Sequence, residues 1–204
     1  MKRKRVVTIS EEEFRVHART LLDRMAADGF VPDAVLGIAT GGALIVDALP
    51  PELGGIRFRC SLQRSSTAVK QKAGIARRIL TAMPYQITDI LRVIEDLIGE
   101  RAAVTVPEPP SSLQESLNAV SDTMRERGLQ SIVVIDDAVD SGATLACVLE
   151  ALKERLPTEA VVRSGAITRT RSPALSIAQP DYVIFEDTLC RFHWSFDYKA
   201  PRGS

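Results

Sequence analysis

Val133-Val134-Ile135-Asp136-Asp137-Ala138-Val139-Asp140-Ser141-Gly142-Ala143-Thr144-Leu145 is an apolar run ending in two carboxylates, followed by a small-residue loop that opens a helix. A short apolar run bounded by turn residues reads as a buried strand. In open α/β sheets, ligands bind beyond the carboxyl ends of the strands. A helix N-terminus behind a glycine-containing loop offers backbone amides to an anion. The hydroxyls of Ser141 and Thr144 add donors to the same cradle. Ionised carboxylates only accept hydrogen bonds, so Asp136 and Asp137 suit paired sugar hydroxyls. An anion cradle beside a diol acceptor describes a ribose 5-phosphate.

Outward from this segment the chain alternates strands with helices. Ser10-Glu11-Glu12-Glu13 is a capping box, and Phe14, Ala18, Leu21, Leu22 and Met25 follow at helical spacing. A helix is therefore expected from Ser10 to about Asp28, ended by Gly29. Residues 33–39 and 131–135 are apolar runs that predict buried strands, and 55–63 alternates as a strand does. Strands are also expected over 159–167 and 181–185, and helices over 41–49, 74–83, 85–98, 111–127 and 143–155. On 85–98 one stripe collects Ile87, Ile90, Leu91, Ile94, Leu97 and Ile98. Such alternation predicts an α/β domain around a mainly parallel sheet flanked by helices. The helical stretch between Lys70 and Arg127 is long for one crossover, and is expected to be a helical insertion serving as hood, lid or interface.

The 204 residues carry 26 basic and 26 acidic side chains, 45% hydrophobic and 25% charged residues, values of an ordinary globular domain. Zero net charge disfavours a general nucleic-acid binder. Cys60, Cys147 and Cys190 are odd in number and far apart, which excludes a disulfide scaffold. With two histidines, His17 and His193, and no paired cysteines, a dedicated zinc site is disfavoured. The basic start, Met1 to Arg5, runs into acidic residues rather than an apolar stretch, so a solvated tail, no secretory signal and a cytoplasmic location are expected. Pro201 to Ser204 reads as a loose tail. No run approaches the roughly 18–20 apolar residues of a membrane span.

The segment from Val133 to Leu145 resembles the phosphoribosyl-pyrophosphate (PRPP) signature of the type I phosphoribosyltransferases. That signature is an apolar strand, two acidic residues, two apolar residues, then Asp-(Ser/Thr)-Gly-x-Thr, and every position matches. The resemblance implies a 5-phosphate loop on Asp140, Ser141, Gly142, Ala143 and Thr144, with ribose-hydroxyl acceptors at Asp136 and Asp137. It implies Mg2+ bridging pyrophosphate and ribose oxygens, held near Asp136 and Asp137 mostly through PRPP and water. It casts Asp140, with Asp136 and Asp137, as catalytic, Asp140 taking or sharing the acceptor's proton. Leu36 to Gly42 matches the family's first loop, so Ala39, Thr40, Gly41 and Gly42 are expected to bind pyrophosphate through their backbone. Thr40 stands where the family has Lys or Arg, which removes one charge contact.

Residues 166–170 and 180–186 resemble the hood strands of 6-oxopurine salvage enzymes. Tyr182 would then stack on a planar base, or else be a core aromatic. Thr168 occupies the place of a lysine that reads the 6-oxo group. Arg169 and Arg171 near the strand end hold phosphate or face solvent. Arg64, Lys70 and Lys72 form a lid that reaches pyrophosphate, or a solvated basic loop. The function implied is Mg2+-dependent transfer of the 5-phosphoribosyl group from PRPP to a purine-like nitrogen base, with release of pyrophosphate. Two alternatives stand beside it. One is a PRPP- or nucleotide-sensing regulator of the same fold without turnover. The other is a specialised transferase with a non-purine acceptor. Partners expected are PRPP, the base or nucleotide, pyrophosphate and further copies in a homodimer or higher oligomer.

Overall fold

The computed structural model describes residues 4–38, 40–52, 55–61, 83–100 and 104–199. The first helix, α1, spans Glu11–Ala27. Its capping box is complete: Ser10 Oγ accepts from the Glu13 amide at 3.2 Å, and Glu13 Oε2 accepts from the Ser10 amide at 2.8 Å. Gly29, at φ +77°, follows its last turn. The central sheet contains β2 (Ala34–Ile38), β3 (Ile56–Cys60), β4 (Ser131–Val139), β5 (Val161–Arg169) and β6 (Tyr182–Glu186). All pairs are parallel, in the order β3-β2-β4-β5-β6. The chain leaves β2 toward β3 on one side and returns to β4 on the other. The order therefore reverses between β2 and β4, the place where open parallel sheets form a ligand crevice.

Alternation along the strands divides the core into two layers. Ala34, Leu36, Ile132, Val134 and Ala166 face α4 (Ser111–Glu126) and α5 (Ala143–Lys153). Val35, Val133, Ile135 and Ile167 face α1 and α2 (Gly41–Ala48). Burial on both faces is why the strands read as continuous apolar runs. Two carboxylates, just before β2 and just before β6, tie these strands to their neighbours. Asp33 Oδ2 accepts from the amides of Gln130 and Ser131 and from Ser131 Oγ, and Asp181 Oδ2 accepts from the amide and hydroxyl of Ser164.

Two expectations change. The basic start is not only a tail: Arg5–Ile9 forms β1, which pairs in parallel with β7 (Thr188–Phe192) in a two-stranded hood. The hood rests on α1 through Phe14, which meets Phe192 and Trp194 edge-on. The expected helical insertion over 70–127 divides, because α4 is a core layer: Leu113, Leu117, Val120 and Met124 are fully buried against the sheet. The helix expected over 85–98, α3 (Tyr85–Glu100), turns its polar side inward. Buried Arg191 of β7 donates to Asp197 at 2.7 Å, to Thr8 and Thr88 at 2.9 Å and to Asp89 at 2.5 Å, with its guanidinium over the Tyr85 ring. Arg92 adds a second guanidinium to Asp197, and Lys4 pairs with Asp96. Ile87, Ile90, Leu91 and Ile94 are left exposed. The expected helix over 74–83 lies almost wholly outside the described residues. Among the described residues, no helix is long and apolar enough to cross a membrane.

Burial alone would raise the Asp197 carboxyl, but Arg92 and Arg191 outweigh it and hold it at about 2. Its stabilising contribution is present above the unfolded value of 3.8 and is lost as pH falls toward 2. Asp197→Asn is expected to cost about 3–5 kcal/mol at neutral pH, since it strands a buried guanidinium. The deficit should shrink below about pH 4 when denaturation is followed against pH. Leu117→Ala is expected to cost about 2–5 kcal/mol in urea denaturation, as a core position does and a peripheral insertion would not.

Candidate active site

At the switch point, β4 runs past its expected end at Ile135 and carries both carboxylates within the strand. Asp136 pairs opposite Ala166, and its Oδ1 accepts from the Asp137 amide at 2.9 Å. Burial, then the charge of Asp137, pushes the Asp136 carboxyl well above the usual carboxylate range. Asp137 is raised as well, chiefly by burial. Two adjacent, largely dehydrated carboxylates cannot both ionise cheaply. The pair thus favours a partner that brings hydroxyl donors or positive charge. Burial and the nearby Asp136 also push the Cys60 thiol up to about 12, so it is an inert core group.

The turn from β2 into α2 lies directly on this pair. A side chain at Gly41 would overlap the Asp137 carboxylate, one at Gly42 would strike the Ile135 carbonyl, and one at Gly37 the Gly42 carbonyl. Glycine is required here by close backbone approach. Thr40, exposed and helical in backbone, is the N-cap of α2 and makes no side-chain cap bond. Ala39, the remaining member of the expected pyrophosphate loop, lies outside the described residues, as do Arg64, Lys70 and Lys72.

Beyond Val139 the chain turns through Asp140, Ser141 and Gly142 into α5. Gly142 adopts φ +76° with the Ala178 backbone against it, so both conformation and space exclude a side chain. The N-terminus of α5 has no side-chain cap from Gly142. A cavity of about 120 Å3 opens there, lined by Asp136 and Ala138 through Leu145. That is several water volumes, a space one phosphate group fills. Ser141, Gly142, Ala143 and Thr144 all line it, so the structure brings the whole expected 5-phosphate loop and Asp136 to one pocket.

The β5–β6 connection grips this loop from outside. The Thr170 amide donates to the Val139 carbonyl at 3.0 Å, the Ile177 amide to the Ser141 carbonyl at 2.8 Å, and Ser176 Oγ to the Asp140 carbonyl at 3.4 Å. Thr170 Oγ1 donates to Asp140 Oδ1 at 2.9 Å, and Arg171 forms a bidentate pair with Asp140. The open alternative for Arg171, phosphate or solvent, resolves as neither. Thr170 carried no expectation. The available signal was Thr170 and Arg171 directly after a strand that ends beside the loop, too common a pattern to assign.

The expected base-side residues do not gather at the pocket. Tyr182 opens β6 opposite Gly165, roughly 13 Å of strand before Arg169 at about 3.3 Å per residue. Its hydroxyl donates to Asp28 and its ring packs with the α1 layer, so stacking on a base at the carboxyl ends is ruled out by register. Thr168 is fully buried, donating to the Thr188 carbonyl at 2.6 Å; it joins β5 to the hood. Arg169 donates to Gln179 at 3.0 Å and Glu186 at 3.1 Å, leaving its buried Nε without a partner. His193 packs edge-on against Phe14 and Trp194. Burial lowers its pKa.

Mg2+ fits the donor set in a limited way. Among the described residues no group of three or more His, Cys, Asp or Glu side chains converges. Asp136 and Asp137 alone would hold a cation incompletely, and Mg2+ is commonly bound by one or two carboxylates with the rest of its shell from water and phosphate oxygens.

A comparison with curated proteins finds no match. Solved structures with the same fold include a purine phosphoribosyltransferase from Pyrococcus horikoshii, 15% identical, covering 98% of both chains with a TM-score of 0.52. A xanthine-guanine-hypoxanthine phosphoribosyltransferase from Helicobacter pylori is 14% identical over 94% of this chain and 92% of its own, with a TM-score of 0.51. A hypothetical protein from Neisseria gonorrhoeae with bound ppGpp is 16% identical over 95% and 91%, with a TM-score of 0.56. Residues 8–201 match the phosphoribosyl transferase domain, and the chain belongs to that family.

Proposed function

We propose that the protein binds PRPP at the β2–β4 switch point and transfers its 5-phosphoribosyl group to a nitrogen base. The observation carrying this reading is one pocket that joins an anion cradle, Ser141 to Thr144, to the buried carboxylate of Asp136. The amides and hydroxyls of the cradle hold the 5-phosphate at the α5 N-terminus. Asp136 and Asp137 accept from the ribose hydroxyls and fix C1 beneath the base. The Thr40–Gly42 backbone, closed onto Asp137, receives the pyrophosphate. A Mg2+ ion bound with PRPP would neutralise charge on the leaving group and relieve the repulsion between Asp136 and Asp137. The base nitrogen bonds to C1 as the bond from C1 to the pyrophosphate oxygen breaks. Pyrophosphate leaves with the electron pair, and the proton on the nitrogen passes to Asp140 or to solvent. The protein's contribution is position and charge.

A second reading is a nucleotide sensor without turnover. It is favoured by Thr168, whose hydroxyl is spent inside the fold where a base-reading lysine is expected. The same fold also occurs in a protein with ppGpp bound. Pyrophosphate release separates the two. With PRPP, Mg2+ and hypoxanthine, guanine, xanthine, adenine, orotate or uracil, base-dependent release is expected, and Asp136→Ala with Asp137→Ala should abolish it. PRPP binding without release for any base would favour the sensor.

The carboxylate pair also carries a stability signature. A carboxyl raised in the folded state contributes stability that is present below its unfolded value of 3.8 and is lost as pH rises through the folded value. Asp136→Asn is therefore expected to raise the melting temperature at pH 7–8, with the gain vanishing below about pH 4. Calorimetry should show weaker binding of ribose 5-phosphate to the same variant. A melting temperature lowered at pH 8 would remove the electrostatic strain from the site.

A further inference from the structure

The side of α3 that faces solvent is apolar, and the fold fixes it there. Ile87, Ile90, Leu91 and Ile94 follow at steps of three, one and three, which gathers them on one face of the helix. All four are exposed, and so is Phe196 beyond β7. A groove of about 410 Å3 continues this face, with Leu91, Arg92 and Glu95 on one wall and Trp194 and Phe196 on the other. The opposite side of the helix is tied down by ion pairs of Arg191 with Asp89, Arg92 with Asp197 and Lys4 with Asp96. Rolling the stripe inward would strand the fully buried Arg191 guanidinium. The stripe therefore stays outside unless something covers it. Among the described residues, the other exposed large apolar side chains lie singly along the chain or as the pair Leu175 and Ile177.

We propose that this face is a two-fold interface between two copies of the chain, with their α3 helices packed antiparallel. Three observations name a second copy as the occupant. First, the stripe reads alike from either end, with isoleucines outermost and Ile90 and Leu91 in the middle. An axis between Ile90 and Leu91 brings each of these two against its own counterpart and Ile87 against the partner's Ile94. That is the self-matching an isologous contact requires. Second, the charge pattern suits this direction. Glu95 is exposed at the edge of the stripe. Antiparallel packing separates the two copies of it by roughly 13 Å along the helices at 1.5 Å per residue, beyond a Debye length of about 10 Å. Parallel packing would set them at one level. Third, Ile87, Ile90, Leu91, Ile94 and Phe196 together expose roughly 500 Å2 per copy, more than half of the about 800 Å2 each partner gives to a standard interface. The walls of the groove supply the remainder. The proposal names the face, the direction and the pairs that meet, and it stands independently of how the phosphate pocket is read.

Sedimentation equilibrium of the whole chain tests it. The wild type is expected to be a dimer with a dissociation constant of about 1 μM or tighter. Ile90→Asp should weaken it by at least about a hundredfold, since it sets two carboxylates together at the axis. Ile90→Lys should do the same, and an equimolar mixture of the two variants should regain part of the affinity. Both side chains replace an exposed residue, so circular dichroism and melting temperature are expected to match the wild type. Direction is read by cross-linking, because Cα atoms more than about 7 Å apart cannot share a disulfide. Under mild oxidation, Ile87→Cys mixed with Ile94→Cys should give a disulfide-linked dimer, and either variant alone should not. The native Cys60, Cys147 and Cys190 are buried. A dimer that survives Ile90→Asp in folded protein overturns the proposal, as does Ile87→Cys linking to itself. A wild type that stays monomeric at about 100 μM also overturns it. Flotation of that monomer with anionic phospholipid vesicles would then assign the face to a membrane instead. Loss of ribose 5-phosphate binding would count against the reading of the pocket and not against this interface.

Discussion

Two carboxylates buried side by side at the end of a central strand are the constraint on which the rest of this structure depends. The β2–α2 turn lies on the Asp137 carboxylate and can do so only because Gly41 and Gly42 have no side chains. The repulsion between the two carboxylates is a cost to the free protein. It remains tolerable because the surrounding core is well built: β2 and β4 are flanked by two apolar layers, and Asp33 fixes where β4 begins. The same arrangement makes the site receptive, since hydroxyl donors or a cation lower the energy of groups already in place.

Around that pair, the glycines each meet a different demand. Gly142 supplies a left-handed backbone with Ala178 pressed against it, while Gly41 and Gly42 supply proximity alone. The cradle is therefore built mostly of main chain, and its shape does not depend on flexible side chains. From outside the cradle, the side chains of Thr170 and Arg171 grip Asp140. Rigidity in the loop is bought from a connection thirty residues downstream.

Legibility in the sequence followed the range of the forces involved. The strands β2 and β4, the capping box of α1 and the loop from Asp140 to Thr144 were readable because their causes are local: apolar runs, a hydroxyl with its answering glutamate, a glycine before a helix. The hood strand β1 was not readable. Its five residues are short and mixed in polarity, and the partner that makes them a strand lies at the opposite end of the chain. For Tyr182 the two open readings, base stacking or core aromatic, were separated by its place at the start of β6, away from the carboxyl ends of the strands. α4 was misjudged as part of an insertion because crossover length says nothing of which face is buried. The helix and apolar stripe of α3 were readable, but not which face turns inward, since the ion pairs of Arg191, Arg92 and Lys4 that hold the opposite face inward join distant parts of the chain.

The pairing of β1 with β7 has a consequence for how the molecule is made. Arg191 and Thr8, which meet across the hood, are separated by 183 positions. During synthesis the chain emerges at roughly 5–20 residues per second, so β1 waits many seconds on the ribosome side of the cell's chaperones before its partner exists. The five-stranded sheet is completed almost as late, because its edge strand β6 ends at Glu186 and β7 begins at Thr188. Sheet and hood thus close together, once nearly the whole chain has been made, and contacts of such long range form slowly.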